Sequence, residues 1–160
     1  MDVKIFTTGG TIDKVYFDAQ SVYEVGDPQI VDILHEANVT LTWDLETLFR
    51  KDSLELTDED RAFIVEKVRQ EPCARILITH GTDTMIETAR ALQGIRDKTI
   101  VLVGSLSPAR FKRSDAEFNI GFALAAVQTL PPGVYIAMNG RIFTPERVRK
   151  NREANRFEAI

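Results

Sequence analysis

Two short segments of this 160-residue chain gather hydroxyls, glycines and an acid at the ends of apolar runs. The first is Thr8-Gly9-Gly10-Thr11, which follows Val3 to Thr7. The second is His80-Gly81-Thr82-Asp83-Thr84, which follows Arg75 to Thr79. A threonine hydroxyl is a weak nucleophile that needs a neighbouring group to move its proton. Gly9, Gly10 and Gly81 lack a Cβ, so the backbone can turn sharply and approach a ligand closely. Backbone N–H groups freed in such turns can stabilise an oxyanion. If the two parent strands are neighbours, Thr11 and Thr82 face each other across one small pocket. A Gly-Gly pair taken alone is equally at home in a plain strand-end turn. A glycine turn after a first strand also suits phosphate, but the chain has neither G-x-G-x-x-G nor G-x-x-x-x-G-K-[ST], so a nucleotide site is not expected.

The elements that must position these segments follow from patterning. Val3 to Thr7 is a buried first strand ending at the glycine pair. Residues 12–27 are polar and glycine-terminated with three aromatics, and they read as a long mobile loop of the kind that carries function. Asp27 as N-cap and Pro28 at the first position open a helix with Ile30, Val31, Ile33 and Leu34 on its apolar face. Val39 to Leu45 alternates with the period of a strand. Thr57 caps the next helix, with Asp60 in the place of the usual glutamate of a capping box. Strands at 75–79 and 99–103, helices at 83–95 and 115–130, and a strand at 134–138 complete the pattern. Strands alternating with helices imply right-handed βαβ units and a parallel sheet. The near-continuous apolar strands suit a sheet covered on both faces. The expectation is one doubly wound α/β domain over residues 1–160: three layers, a mostly parallel sheet, helices on both sides. In such folds ligands bind beyond the carboxyl ends of the strands, at the switch point of the strand order.

Bulk properties narrow the function. The chain is 44% hydrophobic and 28% charged, with a formal net charge of −4, ordinary for a globular domain. The one cysteine, Cys73, forbids an intrachain disulfide and reads as small buried filler at a strand entry. The basic run from Arg147 to Arg156 is interrupted by Asn151 and Glu153, and reads as a solvated helix or tail face rather than a nucleic-acid footprint. The start MDVKIFTTGG lacks the features of a signal peptide, and no segment has the length of a membrane span. A cytoplasmic protein with no nucleic-acid or membrane partner is expected. Neither His35 nor His80 has partners at metal-ligand spacing, so no metal or cofactor is expected. His80 shapes its turn.

TTGGTI at 7–12, YEVG at 23–26, KDSLELT at 51–57 and HGTDTM at 80–85 occur in that order. Together they resemble the signature regions of the L-asparaginase family, from Val3 to about Lys150. The resemblance implies a flavodoxin-like sheet and a set of roles. Thr11 matches the hydroxyl that is acylated. Tyr23 matches the loop tyrosine beside it, with Tyr16 as a second loop tyrosine. Thr82 matches the second catalytic hydroxyl, and Asp83 the acid that holds the substrate α-amino group while also capping the following helix. Lys150, in Val148-Arg149-Lys150-Asn151, matches the lysine that pairs with that threonine and aspartate. Ser53 matches the serine that holds the α-carboxylate, and Gly10 and Gly81 line the same pocket. Asp115 and Asn119 fall at a helix start beneath the site, where capping and packing explain them.

The chain departs from the family in two places. Leu54 stands where a polar residue is common and Glu55 where aspartate is common. Family enzymes are about twice as long, and their second domain lends a carboxylate to a neighbour's site. The short chain is expected to end naturally, to bind the amino group weakly with a raised Michaelis constant, and to form a homo-oligomer, dimer or tetramer. The implied reaction is L-asparagine plus water giving L-aspartate and ammonia. The alternatives are an amidase for another small carboxamide, glutamine included, and a non-catalytic aspartate- or asparagine-binding module.

Overall fold

The computed structural model describes residues 1–17 and 22–160. A six-stranded sheet has the order β4-β1-β5-β6-β7-β8. Its strands are β1 (Val3–Gly9), β4 (Trp43–Lys51), β5 (Arg75–Thr79), β6 (Thr99–Val103), β7 (Gly133–Met138) and β8 (Arg141–Phe143). The first five run parallel, and β8 closes the edge antiparallel to β7. The expected α/β sandwich with a flavodoxin-like strand order is therefore present, and the order reverses between β1 and β5.

Side chains alternate across the strands and divide the core in two. Phe6, Ile76, Ile78, Ile100, Leu102 and Ile136 pack with Ile64 and Val68 of α2 (Asp58–Gln70) and with Met85, Ala89 and Leu92 of α3 (Met85–Leu92). On the opposite face, Val3, Ile5, Leu77, Val101 and Val103 pack with Ile30 and Leu34 of α1 (Ile30–Glu36) and with Ile120, Ala123 and Val127 of α4 (Ala116–Thr129).

This division corrects the expectation that every crossover is right-handed. The β5–α3–β6 and β6–α4–β7 units move in the same direction across the sheet, yet α3 and α4 lie on opposite faces. They have opposite hands. The β1–α1–β4 and β4–α2–β5 units share the hand of the α3 unit, which the steric preference makes right-handed. The α4 crossover is the reversed one.

Local details differ from the sequence reading for physical reasons. Strand β4 covers 43–51 rather than 39–45, because its start is set by pairing Trp43 with Val3. The Asp2 carboxylate accepts the Thr42 N–H at 2.8 Å just before that pair. Asp27 does not cap α1; it pairs with Arg50 at 2.8 Å. Gln29 takes the N-cap position, and its N–H donates to the buried Asp13 carboxylate at 2.9 Å. Of the segment 12–27 read as a loop, residues 18–21 lie outside the described residues. Residues 12–13 end a short 3-10 turn, and residues 14–17 and 22–25 pair as a hairpin, β2 (Lys14–Phe17) against β3 (Val22–Val25). The basic run is neither helix nor tail. Residues 148–151 and 156–159 form the antiparallel hairpin β9 (Val148–Asn151) and β10 (Arg156–Ala159). Val148 and Phe157 are buried in the α2/α3 side of the core. Cys73 is half-buried rather than buried. The capping box is as expected: Thr57 Oγ1 accepts the Asp60 N–H at 3.1 Å, and Asp60 accepts the Thr57 N–H at 3.0 Å.

Two buried titratable groups oppose each other in pH. Burial pushes the Asp13 carboxyl up to about 7, against the pull of the Gln29 N–H and the Arg50 charge and with a push from Asp27. Burial pulls His80 down to about 4, aided by the Arg61 charge and opposed by the Gly81 carbonyl. Between its ordinary 3.8 and about 7, folded Asp13 binds its proton more tightly than the unfolded chain does, so its contribution to stability falls as pH rises. Below the ordinary 6.5, unfolded His80 takes up a proton that the folded protein resists until about 4, so its contribution falls as pH falls. Asp13→Asn keeps an acceptor for the Gln29 N–H and removes the first effect. Thermal melting should show this variant more stable than wild type above neutral pH, by on the order of a few kcal/mol, and equal to it near the acid end of the window.

Candidate active site

Strands β1 and β5 are direct neighbours, with Thr7 opposite Thr79. Thr8 Oγ1 donates to the Thr79 carbonyl at 2.8 Å, so the two strand ends leave the sheet side by side. Gly9 and Gly10 have φ of +96° and +91°. Gly10 pairs that φ with a ψ of −177°, a region essentially confined to glycine. The backbone of this turn rests on the other loop. A Cβ on Gly10 would lie 2.5 Å from the Cα and N of Gly81, and one on Gly81 would lie 2.6 Å from Ser53 Cβ. Gly81 is thus packed between Gly10 and Ser53, with no room for a Cβ on either glycine. Thr11 and Thr82 are the next residues along their respective chains. The Thr11 side chain has no hydrogen-bond partner among the described residues and is half-buried.

His80 is fully buried behind this contact. Its Nδ1 lies 2.7 Å from the Gly81 carbonyl and its Nε2 2.7 Å from Thr88 Oγ1. A carbonyl can only accept, so the proton sits on Nδ1 and Nε2 accepts from Thr88. This pins the turn that presents Thr82. Ser53, 2% exposed, ties the third loop in: its Oγ accepts the Thr84 N–H at 3.2 Å and its carbonyl accepts the Thr84 hydroxyl at 2.7 Å. Asp83 therefore does not cap α3. Thr84 is the N-cap residue and Ser53 supplies the acceptor.

Asp83 is held from the far end of the chain instead. Lys150 Nζ donates to Thr82 Oγ1 at 2.8 Å and to Asp83 Oδ1 at 2.9 Å. On the β9–β10 hairpin, Lys150 shares a face with Val148 and Phe157, whose burial draws it inward; its side chain is only 14% exposed. Asp52, one residue before Ser53, accepts from Lys14 Nζ at 3.1 Å. Burial works to raise its carboxyl, but the Leu54 N–H, the Lys14 contact and the Lys150 charge outweigh that and hold it below the ordinary value.

Tyr23 is not joined to this group. It lies on β3 opposite Tyr16, ring centroids 5.4 Å apart, and edge-on to Phe111 at 5.7 Å. No hydrogen bond links either tyrosine to Thr11. The hairpin that carries them is rooted beside Thr11 by the Gly26 N–H to the Asp13 carbonyl at 2.8 Å. The segment 104–115 braces it: Ala109 N donates to the Ile12 carbonyl at 3.0 Å, and Arg110 Nε to Gln29 Oε1 at 3.2 Å. Asp115 and Asn119 shape that segment. The Asp115 carboxylate accepts the Leu106 and Ser107 N–H groups, and Asn119 Nδ2 donates to the Gly104 carbonyl at 2.9 Å.

Sequence reasoning missed Arg152, whose Nη1 donates to Asp83 Oδ1 at 2.7 Å. No periodic signal marked it, because it lies in the turn that follows β9. It also missed Lys14, Asp52 and Asp13. Among the described residues, no group of His, Cys, Asp or Glu side chains is arranged to hold a metal ion, and no helix is long and apolar enough to cross a membrane.

Comparison with known proteins follows the same lines. The sequence model of the family described as "Asparaginase, N-terminal" matches residues 2–160. The chain is 34% identical over 144 residues to a component of the glutamyl-tRNA(Gln) amidotransferase of Saccharolobus islandicus, covering 82% of this chain and 32% of that protein. It is 34% identical over 132 residues to a glutaminase-asparaginase of Acinetobacter glutaminasificans, covering 77% of this chain and 38% of that one. Among solved structures, the thermostable L-asparaginase from Thermococcus kodakarensis superposes with a TM-score of 0.86 at 29% identity, over 100% of this chain and 51% of that one. A probable cytoplasmic L-asparaginase from Campylobacter jejuni gives 0.82 at 28% identity, over 98% and 52%. The chain spans about a third of the length of these curated relatives and about half that of the solved structures. The sheet, the paired loops and this coverage agree: the chain belongs to the asparaginase family and corresponds to its N-terminal domain.

Proposed function

We propose that this chain is a threonine-dependent amidohydrolase for small carboxamides, with the side-chain amide of L-asparagine as the reference reacting group. The observation that carries this reading is Lys150 Nζ held at 2.8 Å from Thr82 Oγ1 and 2.9 Å from Asp83 Oδ1, on a loop in backbone contact with the one that bears Thr11. Such an arrangement moves a proton at a hydroxyl without rearrangement.

Thr11 is the acylated residue in this scheme, because its hydroxyl is free while that of Thr82 is engaged. Its Oγ attacks the amide carbon, its proton passes to the leaving nitrogen, the C–N bond breaks and ammonia departs. Water then attacks the ester. The water's proton is relayed through Thr82 and Lys150 to Thr11 Oγ as the ester bond breaks and the acid is released. Backbone N–H groups of the glycine turns are the candidate donors to the oxyanion. Tyr23 serves the first step only if the hairpin swings toward Thr11, with Tyr16 as the alternative tyrosine. Gly10, Gly81 and Ser53 form the floor of the pocket. The reading includes a homo-oligomer, supported by the exposed Phe118 stacked on Phe122 on the outer side of α4.

An ammonia-release assay tests the scheme. Thr11→Ala should lower kcat by at least about a thousandfold, and equal rates for the two proteins would remove Thr11 from the mechanism. Lys150→Met should cost about a hundredfold or more in kcat. Gly10→Ala should lose activity and melt lower, by on the order of 1–3 kcal/mol, because its conformation and its contact with Gly81 both exclude a Cβ.

A further inference from the structure

Asp83 is held by two cations, and only Lys150 belongs to the set the family motifs point to. Arg152 Nη1 and Lys150 Nζ both donate to Oδ1, at 2.7 and 2.9 Å. Lys150 lies in β9 and Arg152 is the first residue of the turn that follows it. Asp83 is the acid that the family resemblance assigns to the substrate's α-ammonium group. In this chain an arriving ammonium meets a carboxylate already shared by an ammonium and a guanidinium. The trio of Lys150, Arg152 and Asp83 carries a net positive charge. Lys14 adds none, because Asp52 matches it. Glu55 makes no ion pair with the trio among the described residues.

The segment that the resemblance assigns to the substrate carboxylate also departs from the family pattern beside Ser53. Leu54, 66% exposed, stands in the 53–55 turn where a polar residue is common, and an apolar side chain offers no donor. The Arg152 side chain is 64% exposed, a guanidinium has five donors, and among the described residues its side-chain hydrogen bond is to Asp83 alone. The outward donors are available for a fork-like pairing with an anion.

We propose that the pocket takes small carboxamides bearing a carboxylate and no α-ammonium group, with the carboxylate pairing to Arg152, in preference to amino-acid amides. Succinamate is the simplest such molecule, keeping the reacting end of asparagine and lacking its amine. This rests on the amidohydrolase reading for the reacting end, while recognition at the other end is measurable without turnover.

The test is calorimetric titration of wild type, Arg152→Gln and Arg152→Lys with succinate and with L-aspartate at neutral pH and low salt, beside ammonia release from succinamate and L-asparagine. Wild type should bind succinate about tenfold or more tightly than aspartate. Arg152→Gln should lose about that factor for succinate and none for aspartate, with an unchanged circular dichroism spectrum. Arg152→Lys should fall between the two, because it keeps the charge and loses the fork. Aspartate binding as tightly as succinate, succinate affinity indifferent to Arg152, or neither ligand binding at millimolar concentration would overturn the proposal. Succinate held through Arg152 with no ammonia from either amide would leave it standing and end the hydrolase reading. Asparagine turned over faster than succinamate would do the reverse.

Discussion

The packing of Gly81 between the Gly10 backbone and Ser53 is the constraint on which the site rests. Parallel strands β1 and β5 deliver two loops to the same place, but sheet pairing alone leaves room for side chains between them. Here the room is gone, since a Cβ at either glycine would overlap the facing chain. Removing it places Thr11 and Thr82 on adjoining chain segments without any side chain having to bridge them. The burial of His80, with both ring nitrogens satisfied, makes the second loop rigid from behind. The site is thus held mainly by strand ends and buried hydrogen bonds.

Charge is arranged on top of that scaffold from a distant part of the sequence. The β9–β10 hairpin brings Lys150 and Arg152 onto Asp83 across 67 and 69 residues of chain. Val148 and Phe157 bury the inner face of the hairpin, while Arg149 and Arg156 pair with Glu158 on its outer face. Cross-strand alternation therefore decides which basic residues face the pocket and which are spent on the surface. Asp52 and Lys14 add a second pair at the rim.

Much of this was legible in the sequence. Strands 75–79 and 99–103 agree to the residue, because long apolar runs bounded by turn residues have few other uses. The Thr57–Asp60 capping box is equally local and equally readable. What was not legible depends on partners remote in the chain. Strand β4 starts where β1 offers a partner, not where Val39 begins to alternate. The N-terminus of α1 is satisfied by Asp13, 16 residues away, so the nearer Asp27 was the wrong candidate. The hairpin at 148–159 was hidden because four-residue strands dense in charge carry almost no periodic signal. Arg152 looked like surface for the same reason. Four of the proposed site residues, Thr82, Asp83, Lys150 and Ser53, fall together with Gly10 and Gly81, while Tyr23 stands off on its hairpin.

The reversed hand of the α4 crossover reaches further than topology. A right-handed return would have kept residues 104–115 on the α3 side of the sheet. Because α4 lies with α1, that linker runs beside the tyrosine hairpin: Ala109 bonds Ile12 before it, Arg110 bonds Gln29 after it, and Phe111 packs on Tyr23. The backbone partner of Ile12, the residue after Thr11, consequently comes from a stretch about a hundred residues downstream. A chain emerging in order would have both hydroxyl loops long before it had this stretch or the lysine at 150. The Lys150–Thr82 contact, 68 residues apart in the chain, belongs to the class of sequence-distant contacts that form slowest.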